Sequence, residues 1–188
     1  MSVTTVDDRT ALVVIDLQKG IVAIPTATPA VEIVHRAASL AKAFRDRELP
    51  VFLVNVAGSP PGRTQAGGGG GGGGDFPSEW IELVPELDRQ SSDHTITKLQ
   101  WGAFYGTALE LHLRRLGVTQ IVLAGIATSV GVESTAREAY ERGYNVTLAV
   151  DAMTDFNPAA HQNSVEAVFP ALGETGTTQD VLDLICAR

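Results

Sequence analysis

Short apolar segments alternate with amphipathic segments along most of this chain, and that alternation restricts the fold more than any other feature. The segment 11–15 contains no polar residue and ends at Asp16, which is typical of a strand buried on both faces. Apolar residues then recur at helical spacing through 34–44. The same order repeats, with predicted strands at 11–15, 51–56, 95–97, 120–124 and 145–150 and predicted helices at 34–44, 107–117, 130–142, 159–167 and 178–186.

Two of the predicted helices carry recognisable end signals. Thr107 and Glu110 fit a capping box, and Gly117 fits the glycine that follows a helix. Asn157 is a favoured capping residue, and Pro158 then occupies the first helical position. These signals predict where each helix begins or ends.

Alternating strands and helices predict an α/β fold with three layers, α/β/α, around a doubly wound, mainly parallel sheet of six strands. Sheets of this kind bind ligands at the carboxyl ends of their strands. Asp16 and the residues that follow Ala124 lie at that edge, which makes it the first candidate position for a functional site.

The segment 57–92 is the least regular part of the chain and contains eight consecutive glycines from Gly67 to Gly74. Glycine has no side chain to pack and a high unfolded entropy, so the run predicts a mobile loop. Two alternatives stay open: a lid over the site, and glycines that stand for residues whose side chains were not identified.

The length of 188 residues predicts one domain spanning 1–188, and a net charge of -8 argues against a nucleic-acid partner. No stretch has the length of a membrane span and the first residues lack a secretory signal, so we expect no membrane partner and a cytoplasmic location. The single cysteine, Cys186, excludes an intrachain disulfide and is expected to be a helix residue.

Three segments, taken together, resemble the isochorismatase-like hydrolases of the cysteine hydrolase superfamily. They are VVIDLQ from Val13, TKLQWGAFYGT from Thr97 and GIATSVGVESTAR from Gly125. The resemblance extends over nearly all of the chain from Thr10 onward.

The resemblance implies an active site with Asp16, Lys98 and the position of Gly131. Most members of the family carry a cysteine nucleophile at that last position, and these include nicotinamidases and other amidases. Isochorismatases proper, which hydrolyse a vinyl ether, have glycine there, as this chain does. The resemblance also implies a cis peptide bond between Ile126 and Ala127.

A glycine cannot attack a carbonyl, so acid–base chemistry is the reaction type that these residues favour. Asp16 is the candidate acid for protonating an enol-ether carbon, and we expect its carboxylate within about 4 Å of the Lys98 ammonium. Burial would raise the pKa of Asp16 and Lys98 would lower it, and the sequence leaves this balance open. Ser129 and Ser134 are the nearest substitute nucleophiles, although packing or backbone hydrogen bonding is the more ordinary role for both.

Backbone amides of Ala127 and Gly131 are expected to stabilise negative charge, because they lie where a strand meets a helix N-terminus. Loops at 18–27, 57–75 and 155–158 are expected to line the pocket. Within or beside these loops and motifs, the predicted substrate contacts are Gln18, Arg63, Trp101 and Thr128.

A metal centre has little support. Nicotinamidase-type relatives carry an aspartate and histidines after the second strand, where this chain reads NVA from Asn55. The histidines, His35, His94, His112 and His161, are scattered, mostly on predicted helices away from the site, and His94 near Lys98 is expected to pack. We predict no catalytic metal and no cofactor.

The leading hypothesis is therefore a hydrolase that acts on a small metabolite, anionic substrates included, and forms a homo-oligomer, a dimer or a tetramer. A second hypothesis is a catalytically silent member that binds a small molecule or serves as a scaffold. An amidase with a substitute serine is the third.

Overall fold

The computed structural model describes residues 3–65 and 76–187, so the glycine run and its predicted mobility lie outside the described residues. The strands are β1 Thr10–Ile15, β2 Val51–Val56, β3 His94–Lys98, β4 Gln120–Ile126, β5 Asn145–Thr154 and β6 Glu174–Gly176. The helices are α1 Lys19–Val22, α2 Ala30–Asp46, α3 Ser78–Ile81, α4 Leu109–Arg115, α5 Glu133–Glu141, α6 Pro158–Asn163 and α7 Thr178–Cys186. Short π-helical segments, Thr128–Val132 and Ser164–Val168, precede α5 and follow α6, and 3-10 turns occupy Pro85–Leu87 and Phe169–Ala171.

The six strands form one sheet in the order β3-β2-β1-β4-β5-β6, and every neighbouring pair is parallel. Alternate residues of β1 enter two different hydrophobic clusters: Leu12 packs with residues of α2 and α7, whereas Val13 packs with residues of α4 and α5. Helices therefore cover both faces, and the predicted three-layer fold is confirmed. The sequence did not locate β6, because its three residues are polar or glycine and show no strand pattern.

The capping box predicted at Thr107 is wrong. The helix begins later, at Leu109, and the Thr107 hydroxyl accepts a hydrogen bond from the Leu109 N–H at 3.1 Å. No hydrogen bond joins Glu110 to Thr107 in the described part of the chain, and Glu110 instead accepts a hydrogen bond from Arg142 at 3.0 Å. Gly117 does follow this helix with a left-handed φ of 68°, as predicted.

The cap predicted at Asn157 is confirmed, since its side chain accepts hydrogen bonds from the N–H groups of Ala159 and Ala160. A capping box that the sequence analysis missed opens α7, where Thr177 and Asp180 bond reciprocally. Cys186 ends that helix and is exposed. Among the described residues, no helix combines the length and apolar character needed to cross a bilayer.

Close contact between β1 and β4 places the candidate site. Ile15 lies opposite Gly125, and a side chain on Gly125 would overlap the Ile15 carbonyl oxygen. Asp16 and the turn after Ile126 consequently leave the sheet side by side. Lys98 ends β3, two strands from β1, so only a long side chain reaches the same point.

Candidate active site

Asp16 is the buried carboxylate at the carboxyl end of β1. Its backbone is left-handed, with φ 52°, and its N–H donates to the carbonyl of Val54 at 2.9 Å. An aspartate tolerates this conformation better than most residues, and such outliers occur often at functional sites. The side chain is therefore held at the edge of the sheet.

The two carboxylate oxygens of Asp16 have different surroundings. Oδ2 accepts a hydrogen bond from Nζ of Lys98 at 2.7 Å, which confirms the predicted ion pair. Oδ1 is buried and has no hydrogen-bond partner among the described residues. A buried oxygen without a partner is costly in an ordinary core and is the atom expected to meet a substrate.

Lys98 is also almost fully buried, with 2% of its surface exposed. Its ammonium donates to Asp16 and to the carbonyl of Gln100 at 3.1 Å. Two charges removed from water in this way are stabilised by each other, and loss of either would leave an uncompensated charge.

The structure settles the balance that the sequence left open. Burial raises the pKa of Asp16 to about 6, and the attraction and hydrogen bond of Lys98 only partly oppose that rise. A carboxyl group with this pKa is present in both protonation states near neutral pH, as an acid catalyst requires.

Gly131 lies directly beside this pair. A Cβ at this position would lie 3.3 Å from Oδ2 of Asp16 and 3.5 Å from the carbonyl oxygen of Trp101. It would also lie 2.9 Å from Cγ2 of Ile15, closer than side chains normally approach. The predicted convergence of Asp16, Lys98 and the backbone of Gly131 is confirmed, and packing around position 131 suits a residue without a side chain.

The turn that carries Gly131 begins at a cis peptide bond between Ile126 and Ala127, as predicted. The Ala127 carbonyl accepts hydrogen bonds from the N–H groups of Val130 and Val132, both at 3.1 Å. The Ser129 N–H donates to Asp155 at 2.7 Å. These three amides are thus occupied within the protein, and the oxyanion role of the amides at Ala127 and Gly131 stays a prediction.

Gln18, one of the predicted substrate contacts, is fully buried. Its amide donates to the carbonyls of Val56 at 3.0 Å and Trp80 at 3.2 Å, and its oxygen accepts from the Val56 N–H at 2.7 Å. Both amide protons therefore go to the backbone, where they join the end of β2 to α3. The predicted contact of Gln18 with substrate stays a prediction. It could not use either amide proton, because both are bonded to the backbone.

The other predicted substrate contacts differ in position. Arg63 is exposed in the loop that precedes the glycine run, and no contact places it at the site. Trp101 has 54% of its surface exposed, while its carbonyl faces Gly131, which puts it at the rim. Thr128 is fully buried, and its hydroxyl lies 2.8 Å from Nδ1 of His161.

The sequence analysis gave no individual role to two residues near the site, although it expected the loop 155–158 to line the pocket. Asp155, which directly follows β5, is buried and binds the Gly131 turn through Ser129. His161 was expected to lie away from the site, yet α6 begins at Pro158 and brings this ring to Thr128. The available signal was topological: both residues follow a parallel strand and therefore reach its carboxyl edge.

The remaining candidates have packing roles. His94 stacks on Phe52 with ring centroids 4.6 Å apart, which confirms its predicted packing. The Ser129 hydroxyl donates to Asp155 at 2.8 Å, and Ser134 makes no hydrogen bond to a base in the described part of the chain. Residues 3–65 and 76–187 also contain no group of three or more potential metal ligands, and the expected absence of a metal remains a prediction.

The chain is similar to known proteins over nearly its whole length. The isochorismatase domain family matches residues 10–180. The chain is similar to the uncharacterized isochorismatase family protein YwoC of Bacillus subtilis (strain 168), with 43% identity over 181 residues and 94% of each chain covered. It is similar to YecD of Escherichia coli O157:H7, an uncharacterized isochorismatase family protein, with 42% identity over 180 residues, covering 94% of this chain and 96% of the relative.

A solved structure has a similar fold and sequence. It is an isochorismatase family protein from Burkholderia thailandensis, with a TM-score of 0.91 and 42% identity. The alignment covers 98% of this chain and 99% of that chain.

Proposed function

This chain belongs to the isochorismatase family of hydrolases, and from that premise we propose that it hydrolyses a vinyl ether of a small metabolite by general acid catalysis. Asp16 is the acid and Lys98 holds it in place. The glycine at position 131, where most members carry the cysteine nucleophile, supports a reaction without one. The observation that carries the proposal is the buried carboxyl of Asp16: its Oδ2 accepts a hydrogen bond from Lys98 and lies beside Gly131, and its Oδ1 has no partner among the described residues.

The proposed reaction begins when protonated Asp16 transfers its proton to the terminal carbon of the enol-ether double bond. The carbon that bears the ether oxygen becomes an oxocarbenium ion. Water adds to that carbon, returns a proton to the Asp16 carboxylate and gives a hemiketal. The hemiketal then breaks its original carbon–oxygen bond and yields a ketone and an alcohol.

Lys98 and the Gly131 turn stabilise the charges that develop during this reaction. The ammonium of Lys98 pairs with the Asp16 carboxylate that remains after proton transfer, 2.7 Å away. The amides of Ala127 and Gly131 remain the candidates for binding a substrate oxygen, because those of Ser129, Val130 and Val132 are already used.

A substrate screen tests the reaction class. Isochorismate, simple vinyl ethers, amides and thioesters are incubated with the wild-type protein, and product formation is followed by mass spectrometry. We expect turnover of vinyl ethers alone. Turnover of amides or thioesters would instead favour a substitute nucleophile, and binding without turnover of any class would favour the silent small-molecule binder.

The pH dependence follows from the pKa of Asp16. The acid must be protonated to act, and burial raises its pKa to about 6. We therefore expect kcat/KM to be level below that pH and to fall about tenfold per pH unit above it. Rates of vinyl-ether hydrolysis between pH 5 and 8 measure this, and a rate that rises over that range would contradict an Asp16 acid.

Replacing Gly131 by cysteine tests the environment of the family's nucleophile position. The new Cβ would press on Cγ2 of Ile15, 2.9 Å away, so we expect a loss of about 1–3 kcal/mol in the free energy of unfolding. A thiol at a helix N-terminus near the Lys98 ammonium should have a lowered pKa, and at pH 7 we expect alkylation by iodoacetamide about tenfold faster than for an exposed cysteine.

The matched control for this variant is Gly62→Cys, which puts a thiol in an exposed loop where a Cβ meets nothing within 4 Å. Both variants are made with Cys186→Ser, so that each protein has a single thiol. If the folded Gly131→Cys variant reacts no faster than the Gly62→Cys control, the turn does not activate a group at position 131, and the silent binder becomes the better account.

A further inference from the structure

Asp155 lies outside the turn that carries Gly131 and accepts hydrogen bonds from it. Its Oδ2 accepts hydrogen bonds from the N–H of Ser129 at 2.7 Å and from the Ser129 hydroxyl at 2.8 Å. Its Oδ1 accepts from the N–H of Asn157 at 3.0 Å. The side chain is 3% exposed, so these bonds are made away from water.

The position of Asp155 follows from the sheet. Ile126 and Thr154 are paired at the ends of β4 and β5, so the next residues of the two strands leave the sheet together. The Asp155 carbonyl also accepts a hydrogen bond from the N–H of Ala27 at 2.9 Å. One residue thus joins three chain segments at the carboxyl edge: the loop after α1, the Gly131 turn and the start of α6.

We infer that Asp155 is a positioning residue that holds Gly131 against Asp16 by fixing Ser129. Ser129 lies two residues before Gly131 in the π-helical segment Thr128–Val132, and its amide, at the N-terminal end of that segment, has the Asp155 carboxylate as its acceptor. Anchoring the turn at Ser129 keeps the backbone of Gly131 over Asp16 and keeps water from the Asp16 carboxyl.

Asp151, an aspartate within β5, makes the same kind of contact away from the site and supplies a matched control. Asp151 Oδ1 accepts from the N–H of Thr178 at 2.6 Å and from its hydroxyl at 2.9 Å, at the start of α7. Removing either carboxylate should cost stability. Only the removal of Asp155 should alter the surroundings of Asp16.

The test is the titration of the Asp16 carboxyl carbon by 13C NMR in wild type, Asp155→Asn and Asp151→Asn. The signal is assigned by its absence in Asp16→Asn. Ser129 and Asn157 donate to different oxygens of Asp155, and in asparagine one of these oxygens becomes an NH2 donor, so one bond is lost and the turn is expected to loosen. Water then reaches Asp16, and its titration midpoint, at a pKa of about 6 in the wild type, is expected to fall by about one unit.

Asp151→Asn is expected to lower the melting temperature and leave the Asp16 midpoint where it is. An unchanged midpoint in folded Asp155→Asn, or an equal shift in both variants, would overturn the inference and leave Asp155 a structural cap. If Asp155→Asn does not fold, Ser129→Ala replaces it, since this change removes one of the two bonds to Ser129. We expect a smaller shift in the same direction, and no shift there would also overturn the inference.

The inference rests on the proposed function only in treating the Gly131 turn as part of the site. The titration needs no substrate. A shifted midpoint in a protein that hydrolyses no vinyl ether would support the role of Asp155 while the proposed reaction fails. If the wild type hydrolyses vinyl ethers but Asp155→Asn leaves the Asp16 midpoint unchanged, the proposed reaction is supported and the role of Asp155 is overturned.

Discussion

Asp16→Asn is expected to lower kcat for vinyl-ether hydrolysis by about 10²–10⁴-fold, the usual contribution of a positioned general acid. An asparagine retains an oxygen that can accept the hydrogen bond of Lys98, at 2.7 Å in the wild type, but leaves the buried ammonium without its counter-charge, so we expect a folded protein of lower stability. It has no proton that it can transfer to carbon. Single-turnover rates and a thermal melt of the same sample separate the loss of chemistry from a loss of folded protein.

Asp46→Asn is the control for this variant, because Asp46 is an exposed carboxylate that pairs with Lys42 on the surface of α2. We expect its kcat to equal that of the wild type. Asp16→Asn with undiminished turnover would exclude Asp16 as the acid.

Lys98→Met is expected to lower the free energy of unfolding at pH 8 by about 3–5 kcal/mol, the cost of leaving one charge of a buried pair without its partner. The methionine fills a similar volume, but the Asp16 carboxylate, 5% exposed, then has no cation beside it. Urea denaturation at fixed pH measures the difference from wild type.

The loss of unfolding free energy in Lys98→Met should be larger at high pH than at low pH. Burial already raises the pKa of Asp16 in the folded protein, and removal of the Lys98 ammonium raises it further. A group whose pKa is higher in the folded than in the unfolded state stabilises the fold when protonated, and that stabilisation is lost as pH rises through the folded pKa. The variant should therefore be closer to wild type at pH 5 than at pH 8.

Lys42→Met provides the comparison for an exposed pair. Lys42 lies 2.6 Å from Asp46, as close as the buried pair, but 75% of its side chain is exposed. We expect a change below about 1 kcal/mol, with little dependence on pH in this range. If Lys42→Met and Lys98→Met lost equal unfolding free energy, burial of the Asp16–Lys98 pair could not be the cause of the larger loss expected for Lys98→Met.

The sequence predicted the core of the fold because the central strands are unbroken apolar runs. β2 and α7 were predicted with their observed bounds, and β1 differs from its prediction by one residue. Edge strand β6 and the π-helical segments have no comparable signal, since a three-residue strand has no period and a π turn is set by tertiary contacts.

The pair of Asp16 and Lys98 was predicted from motifs, whereas its electrostatics required the structure. Desolvation depends on residues from several elements packing around the carboxyl, and no local pattern encodes that. The same limit explains the missed contacts of Asp155 with Ser129 and of His161 with Thr128, which join residues 26 and 33 positions apart. Gln18 lies in a predicted motif, but its two backbone partners lie in segments that sequence cannot place together.

Hydrolysis of a vinyl ether in D₂O tests the central claim most directly, because proton transfer from Asp16 to carbon leaves a label in the product. The account predicts one carbon-bound deuterium per turnover at the former alkene carbon, seen by mass spectrometry and NMR. Product incubated with the protein in D₂O controls for later exchange. Vinyl-ether cleavage without a carbon-bound deuterium, or hydrolysis of amides in its place, would contradict a reaction that begins with protonation by Asp16.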